Sequence, residues 1–423
     1  MKYKMTINGP QIPNGIVKVS GAKNSATKLL AASLLSNEII RINNFPTQLV
    51  DAKAKIGFIR DMGVEVDVDD KEESLTINSR ALALTDNINY ELPIRTTYLL
   101  AAGQIVRHQK AHIPYPGGCK IGSRGYDLHI MVWEKLGCKV EEKEKYIEIK
   151  GGFKGGVINF PISTVGGTET AIMCASVAEG VTEIHNAYIT PEVDDLIDFL
   201  VSMGAKIEKY GTAKLKIEGQ NGLLKGTSYS VMPDRIEALT WMVFAAITKG
   251  SIVVENVPFK TMEIPLLHLK DCGIDFYQNE NSVYITPTCI KGGFIQPFEV
   301  ACGTHPGVIS DMQAFYVLLG LVAEGKSTIF DYRYPERIAY GKELNKFTDE
   351  KIKTEYGKII TYGTDNIKGA EVLSTDLRGS MGLIMEGFLA NGTSVIKDIF
   401  LAMRGYNNLE IKLRDLGLEF EIE

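Results

Sequence analysis

The chain has 423 residues, more than one hydrophobic core usually organises, so two domains are the first expectation. Hydrophobic residues make up 45% of it, charged residues 23%, and the net charge is -6, which argues against a wholly basic nucleic-acid binder. The sequence shows neither an apolar stretch long enough for a membrane helix nor a signal-peptide core, and this predicts a cytoplasmic protein without membrane or nucleic-acid partners.

A unit of about 70 residues recurs along the chain. Each copy reads as a small polar turn, an Ala/Leu-rich helix, a β-branched strand, a second helix and a closing strand pair. A glycine that ends the second helix marks the period; these glycines are Gly63, Gly137, Gly204, Gly273 and Gly417, and the fifth unit lacks one. Because glycine readily adopts the left-handed conformation found at helix ends, the pattern predicts six α+β modules.

Charged residues occupy the turns before and between the predicted helices of several units. In chain order they are Lys23, Arg95, Arg124, Asp234, Arg235, Asp311, Arg337, Asp376, Arg378 and Arg404. Cations at a helix start oppose the helix dipole and cost stability unless an anion offsets them. Any one of these residues alone is more simply a solvated surface charge, whereas the set at equivalent positions predicts an anion site.

Residues 114–125, PYPGGCKIGSRG, differ from the repeat text. The prolines and glycines predict a loop that is not a simple hairpin. Cys119 lies in it beside Lys120 and near Arg124, and neighbouring cations favour the reactive thiolate. The alternative is an inert loop thiol. Since the six cysteines show no CxxC spacing, neither a disulfide framework nor a zinc site is expected.

These motifs together resemble the UDP-N-acetylglucosamine 1-carboxyvinyltransferase family over essentially the whole chain. The matching segments are SGAKN at 20–24, PGGCKIGSR at 116–124, VGGTET at 165–170, PDRIE at 233–237, SDMQA at 310–314, STDLR at 374–378 and RGY at 404–406. The 3-phosphoshikimate 1-carboxyvinyltransferases share the fold but lack the PGGC loop, so they are the poorer match.

The resemblance implies an α/β (α+β) fold of two inside-out α/β barrels, each built from three repeats. One domain would comprise 22–232 and carry the cysteine loop at 114–125. The other would comprise 1–21 joined to 233–423. The active site would lie in the cleft between them.

The resemblance also implies the reaction. Phosphoenolpyruvate would transfer its enolpyruvyl group to the 3-hydroxyl of UDP-N-acetylglucosamine by addition and elimination, releasing phosphate, as the first step of peptidoglycan precursor synthesis. No metal or organic cofactor is expected, and the protein would be a monomer or a weak homo-oligomer. Fosfomycin would alkylate the loop cysteine.

Residue roles carry over by position. The catalytic residues would be Cys119 as proton donor to the methylene, Asp311 as general base, Lys23, Arg404 and Asp376. Phosphoenolpyruvate would contact Lys23, Asn24, Arg95, Arg124, Arg337, Arg378 and Arg404. The nucleotide sugar would contact Asn24, Arg95, Arg124, Asp127, Leu128, Val165, Gly166, Asp311 and Arg333.

Departures from the family pattern cluster on the acceptor side. Gly125 and Tyr126 stand where the family has proline and an aliphatic residue, Arg333 where it has an aliphatic residue, and Ala402-Met403 where it has a nearby His and Asp. An arginine beside a base can stack on it, clash with it or meet an extra anion. Two alternatives therefore stay open: the same chemistry on another nucleotide or nucleotide sugar, and an inactive ligand-binding paralogue.

Overall fold

The computed structural model describes residues 3–84, 94–115 and 125–423. These residues form two compact units. One unit comprises 21–84, 94–115 and 125–232 and is called the central unit here. The second comprises 3–20 and 233–423 and is called the terminal unit.

The chain begins with two strands of the terminal unit, β1 (Lys4–Gly9) and β2 (Asn14–Lys18), before it enters the central unit. The central unit's helices are α1 (Lys23–Ala32), α2 (Val50–Asp61), α3 (Leu100–His108), α4 (Asp127–Lys135), α5 (Val165–Ser176) and α6 (Pro191–Ser202). Its strands are β3 (Ile40–Asn43), β4 (Glu65–Asp69), β5 (Ser74–Asn78), β6 (Lys110–Pro114), β7 (Lys139–Glu142), β8 (Tyr146–Lys150), β9 (Val157–Thr164), β10 (Val181–Ala187), β11 (Lys206–Tyr210), β12 (Lys214–Glu218) and β13 (Thr227–Ser230). Short 3₁₀ helices span Ser33–Leu35 and Arg95–Leu99.

The terminal unit continues after residue 232. Its helices are α7 (Arg235–Thr248), α8 (Glu263–Asp271), α9 (Gln313–Val322), α10 (Ala339–Leu344), α11 (Leu377–Leu389), α12 (Phe400–Met403) and α13 (Leu409–Asp415). Its remaining strands are β14 (Ser251–Glu255), β15 (Tyr277–Gln278), β16 (Ser282–Ile285), β17 (Glu299–Cys302), β18 (Lys326–Asp331), β19 (Ile352–Glu355), β20 (Lys358–Tyr362), β21 (Glu371–Leu373), β22 (Gly392–Lys397) and β23 (Glu421–Ile422). Short 3₁₀ helices span Phe259–Thr261, Pro287–Cys289, Lys291–Gly293, Ser310–Met312 and Asn345–Phe347.

The described strands form six sheets, and five of them share one pattern. A parallel pair is followed by two antiparallel strands, in the orders β13-β3-β5-β4, β9-β10-β12-β11, β2-β14-β16-β15, β17-β18-β20-β19 and β21-β22-β1-β23. The sixth sheet has the three described strands β6-β8-β7. A parallel pair needs a crossover, and α5, α9 and α11 supply it between β9 and β10, β17 and β18, and β21 and β22.

Helices fill the centre of the terminal unit. All 14 residues of α7 are buried, and α7, α9 and α11 pack on one another. A helix that is apolar on all sides belongs in a protein core. Among the described residues, no helix is both long enough and apolar enough to cross a membrane.

The helix-ending glycines have the predicted conformation. Gly63, Gly137, Gly204, Gly273 and Gly417 follow α2, α4, α6, α8 and α13 with φ between 76° and 95°. In the fifth repeat, α10 passes instead into the 3₁₀ helix Asn345–Phe347. These five glycines have the left-handed conformation that glycine adopts without a Cβ clash, so the sequence period and the structural period coincide.

Candidate functional site

Two aspartates and two arginines of the terminal unit meet at the beginning of its central helices. This arginine–aspartate cluster consists of Asp311, Arg337, Asp376 and Arg378. Arg337 Nη1 donates to Asp311 Oδ1 at 2.7 Å, and its Nη2 donates to Asp376 Oδ1 at 2.8 Å. Arg378 Nε lies 3.7 Å from Asp311 Oδ2. The four residues that the sequence predicted separately therefore form one connected group.

Helix capping positions the cluster. Asp376 precedes α11, and its Oδ1 accepts from the backbone N–H groups of Arg378 and Gly379 at 3.1 and 3.2 Å. Asp311 lies in the 3₁₀ helix Ser310–Met312, directly before α9. The Asp376 carboxylate thus satisfies free N–H groups at the start of α11, and the negative charge of each aspartate complements the dipole of the helix that follows it.

The members of the cluster differ in how far their side chains are exposed to solvent. The side chains of Arg337 and Asp376 are each 4% exposed, whereas that of Asp311 is 27% exposed. Burial by itself lowers the pKa of Arg337, but the charges of Asp376 and Asp311 outweigh it and hold that pKa well above its ordinary value. Asp311 is therefore the carboxylate that solvent or a ligand can reach.

Arg378 carries unused hydrogen-bonding capacity. Its guanidinium lies 5.1 Å from the ring of Tyr406, and its side chain is 1% exposed. Neither Nε nor Nη2 has a hydrogen-bond partner among the described residues. A buried guanidinium N–H without an acceptor is costly, so these two atoms mark a place that suits an anionic ligand.

The other predicted residues of the terminal unit lie on neighbouring segments. Arg404 is buried at the end of α12. Arg235 begins α7 behind the capping residue Asp234, whose carboxylate accepts from the backbone of Ile236 and Glu237 at 2.8 and 3.1 Å. Aspartates thus cap two of the three central helices of this unit, which the sequence did not predict.

In the central unit, Lys23 and Asn24 begin α1. Lys23 Nζ lies 3.2 Å from Asp51 Oδ2 on α2, and Asp51 is buried. Arg95 begins the 3₁₀ helix Arg95–Leu99, and its Nη2 donates to the carbonyl of Gly125 at 2.5 Å. Both predicted cations are therefore held by contacts within this unit.

The central unit also contains a group of buried charges, Lys28, Lys55 and Glu169. Lys28 Nζ lies 2.5 Å from Glu169 Oε1, and Lys55 Nζ donates to the carbonyl of Thr96 at 2.8 Å. Burial lowers the pKa of Lys55 to about 7, although the negative charge of Glu169 opposes it. Lys55 thereby links the interior of the unit to the backbone next to Arg95.

The residues predicted for the nucleotide sugar lie at two helix starts. Asp127 and Leu128 begin α4, and Val165 and Gly166 begin α5. Gly166 faces His129, because an added Cβ would lie 3.1 Å from the imidazole. Burial and the charge of Arg95 lower the pKa of His129 to about 3, so this imidazole is neutral.

Arg333 lies in the turn that follows β18. Its backbone N–H donates to Asp331 Oδ1 at 2.9 Å, and its guanidinium lies 6.0 Å from the Tyr334 ring. Asp331 is itself buried and was missed by the sequence reasoning. Asp331 could have been predicted from the sequence as a turn-forming residue, because it stands at the end of a strand and aspartate side chains commonly accept from the backbone two residues on.

Cys119 and Arg124 lie outside the described residues. The other five cysteines are free and buried. Burial raises the pKa of Cys138 to about 11 and that of Cys272 to about 12, and raises those of Cys174 and Cys302 well above the ordinary value. Buried thiols of this kind are poor nucleophiles. Within the described ranges, no three His, Cys, Asp or Glu side chains are grouped so as to hold a metal ion.

Comparison with known proteins identifies relatives along the whole chain. A family model described as EPSP synthase (3-phosphoshikimate 1-carboxyvinyltransferase) matches residues 7–413. A UDP-N-acetylglucosamine 1-carboxyvinyltransferase from Campylobacter hominis is 37% identical over 421 residues, covering 99% of this chain and 98% of that protein. One of the same name from Coxiella burnetii is 36% identical over 420 residues, covering 98% and 95%.

Solved structures show the same fold. The enolpyruvyl transferase NikO from Streptomyces tendae superposes with a TM-score of 0.88 at 20% identity, covering 100% of this chain and 99% of that one. EPSP synthase from Acinetobacter baumannii superposes with a TM-score of 0.75 at 17% identity, covering both chains fully. The predicted enolpyruvyl transferase fold is thus confirmed. With relatives of that name 35–37% identical over nearly its full length, the chain belongs to the UDP-N-acetylglucosamine 1-carboxyvinyltransferase family of enolpyruvyl transferases.

Proposed function

We propose that this protein transfers the enolpyruvyl group of phosphoenolpyruvate to the 3-hydroxyl of UDP-N-acetylglucosamine and releases phosphate. The observation that carries the proposal is the arginine–aspartate cluster, in a chain 37% identical throughout to a relative with that name. The cluster combines an accessible carboxylate with buried guanidinium groups. A carboxylate can remove a proton from a hydroxyl, and guanidinium groups can hold a phosphate and a carboxylate.

Phosphoenolpyruvate would be the ligand of the arginines. Arg378 offers two buried nitrogens without a hydrogen-bond partner among the described residues. Arg337 is already bound to Asp376 and Asp311, so it would contribute mainly through its charge. The remaining members of the proposed donor-binding set are Lys23, Asn24, Arg95, Arg124 and Arg404.

The reaction needs a base and an acid. Asp311 would take the proton of the sugar 3-hydroxyl while the oxygen of that hydroxyl bonds to C2 of phosphoenolpyruvate. Cys119 would add a proton to the C3 methylene. The C2–O bond to phosphate then breaks, and C3 loses a proton, which restores the double bond in the product. Both steps develop charge that fixed cations stabilise.

Asp376 is the second carboxylate proposed to take part. Its Oδ1 already accepts from Arg337, Arg378 and Gly379. Proton movement through Asp376 would therefore use Oδ2. Its main effect on the site would be to hold Arg337 beside Asp311.

A second set of residues is proposed to contact the nucleotide sugar. Asp127, Leu128, Val165 and Gly166 would contact it from the helix starts of the central unit, with Asn24, Arg95 and Arg124. Arg333 and Asp311 would contact it from the terminal unit. The substrates are small molecules; we also propose a cytoplasmic monomer or weak homo-oligomer.

A substrate panel tests the proposal. The protein is incubated with phosphoenolpyruvate and a series of nucleotides and nucleotide sugars, and phosphate release is followed. Release with UDP-N-acetylglucosamine at about 1 per second or faster supports the proposal. Release only with another acceptor would show that this molecule is the acceptor substrate instead of UDP-N-acetylglucosamine. No release with any acceptor would refute enolpyruvyl transfer. Asp311→Asn serves as the control and should lower the rate by about 100-fold or more.

A further inference from the structure

A single buried carboxylate, Asp331, joins the segments that carry Asp311 and Arg333. Asp331 ends β18 and is 1% exposed. Its Oδ1 accepts from the backbone N–H groups of Arg333 and Tyr334 at 2.9 and 2.7 Å. These two bonds fix the turn that presents Arg333.

The same carboxylate also holds the segment of the general base. Ser310 Oγ donates to Asp331 Oδ1 at 2.8 Å, and Gln313 Nε2 donates to Oδ2 at 3.2 Å. Ser310 directly precedes Asp311, and Gln313 begins α9. Gln313 is held in turn because its Oε1 accepts from Tyr340 at 2.6 Å.

Four donors thus converge on one buried carboxylate. Each is a bond to a charged acceptor, which is stronger than one between neutral groups. The bonds of Asp331 go to the Ser310 hydroxyl, the Gln313 amide and the backbone of residues 333–334, so its effect on the reacting groups would be transmitted through these partners.

We propose that Asp331 is a positioning residue that fixes the positions of Asp311 and Arg333 for contact with the acceptor. The proposal rests on the proposed function, since it assigns Asp311 and Arg333 to the acceptor. Two nitrogens of Arg337, Nε and Nη2, donate to Asp376, and only Nη1 donates to Asp311 and to the carbonyl of Ser310, on the segment that Asp331 holds. Loss of Asp331 should therefore impair use of the acceptor far more than use of phosphoenolpyruvate.

The test compares Asp331→Ala, which removes the acceptor atoms, with Asp331→Asn, which keeps one oxygen. For Asp331→Ala we expect kcat/KM for UDP-N-acetylglucosamine to fall about 100-fold, as displaced reacting groups typically cost. KM for phosphoenolpyruvate should change by less than about twofold, and Asp331→Asn should recover much of the loss because the main bonds converge on a single oxygen. Glu386→Gln, a buried carboxylate-to-amide change in the same unit, is the matched control and should behave as wild type.

Amide hydrogen exchange gives a readout that does not depend on turnover. The amides of Arg333 and Tyr334 should exchange at least about 10-fold faster in Asp331→Ala, with α7 and α11 protected as in wild type. Unchanged exchange at both amides, or an equal loss for donor and acceptor, would overturn the inference. Wild type that is inactive with every acceptor would refute the proposed function, and the exchange result would then decide on the positioning role alone.

Discussion

Replacing the buried Lys55 with methionine should stabilise the central unit. Lys55 is fully buried, and its pKa falls from 10.5 to about 7. At roughly 1.4 kcal/mol per pH unit, the ammonium costs at most about 5 kcal/mol at pH 7. Methionine loses the bond to Thr96, about 1 kcal/mol, whereas the attraction to Glu169 is already contained in the lowered pKa. We therefore expect Lys55→Met to gain about 2–3 kcal/mol at pH 7, within the range seen when buried charges are replaced.

The gain should depend on pH in a defined direction. Between pH 7 and 10.5 the unfolded chain keeps the Lys55 proton and the folded chain has lost it. The unfolded state then binds more protons, so the stability of wild type rises with pH across this window. Lys55→Met lacks this contribution. Its advantage over wild type should therefore shrink steadily from pH 7 to pH 10.

The two tryptophans allow each unit to be followed separately. Trp133 lies in the central unit and Trp241 in the terminal unit, and both are fully buried. Urea unfolding in a Trp241→Phe background therefore reports the unit of Lys55. Lys53→Met is the matched control, because Lys53 is exposed on the same helix. An advantage of Lys55→Met that is absent at pH 7, or that does not change up to pH 10, would refute the reasoning.

Three other side chains give measurable expectations. Glu386 is fully buried without a hydrogen-bond partner among the described residues, and burial raises its pKa well above 4.5. The protonated carboxyl is therefore tolerated below pH 4.5, and the stability of the folded state falls as the pH rises above that value. Glu386→Leu should therefore stabilise the unit of Trp241 at pH 7 and gain little at pH 4. Equal gains at both pH values would contradict this. Arg378→Lys keeps the charge but loses the planar donors, so KM for phosphoenolpyruvate should rise about 10-fold; an unchanged KM would remove Arg378 from the donor site. Fosfomycin or a maleimide should modify Cys119 first, as peptide mass spectrometry can show, and label spread over the five buried cysteines would contradict the assignment.

Local sequence rules predicted the repeat because each rule concerns a single backbone position. A glycine such as Gly63 or Gly417 ends a helix for a steric reason that neighbouring units do not change. The helices of the core followed from their apolar residues in the same way. The repeated α+β module was thus accessible from the period, and the arrangement of the modules was expected from the family resemblance.

Pairing between distant segments was not accessible in this way. Asp311, Arg337 and Asp376 were each singled out, but nothing in the sequence indicated that one arginine bridges both aspartates. Lys55 and Glu169 lie on α2 and α5, and their burial depends on charges that the tertiary fold brings together. Asp331 was missed for the same reason, since two of its four partners lie some 20 residues earlier in the chain.

The most direct test of enolpyruvyl transfer follows both products at once. The protein is incubated with phosphoenolpyruvate and UDP-N-acetylglucosamine, phosphorus NMR measures inorganic phosphate, and mass spectrometry measures the nucleotide sugar carrying one added enolpyruvyl group. We predict that the two appear in equal amounts and at equal rates. Phosphate formed without the enolpyruvyl ether, or no conversion of either substrate, would contradict the assignment of this reaction to the protein.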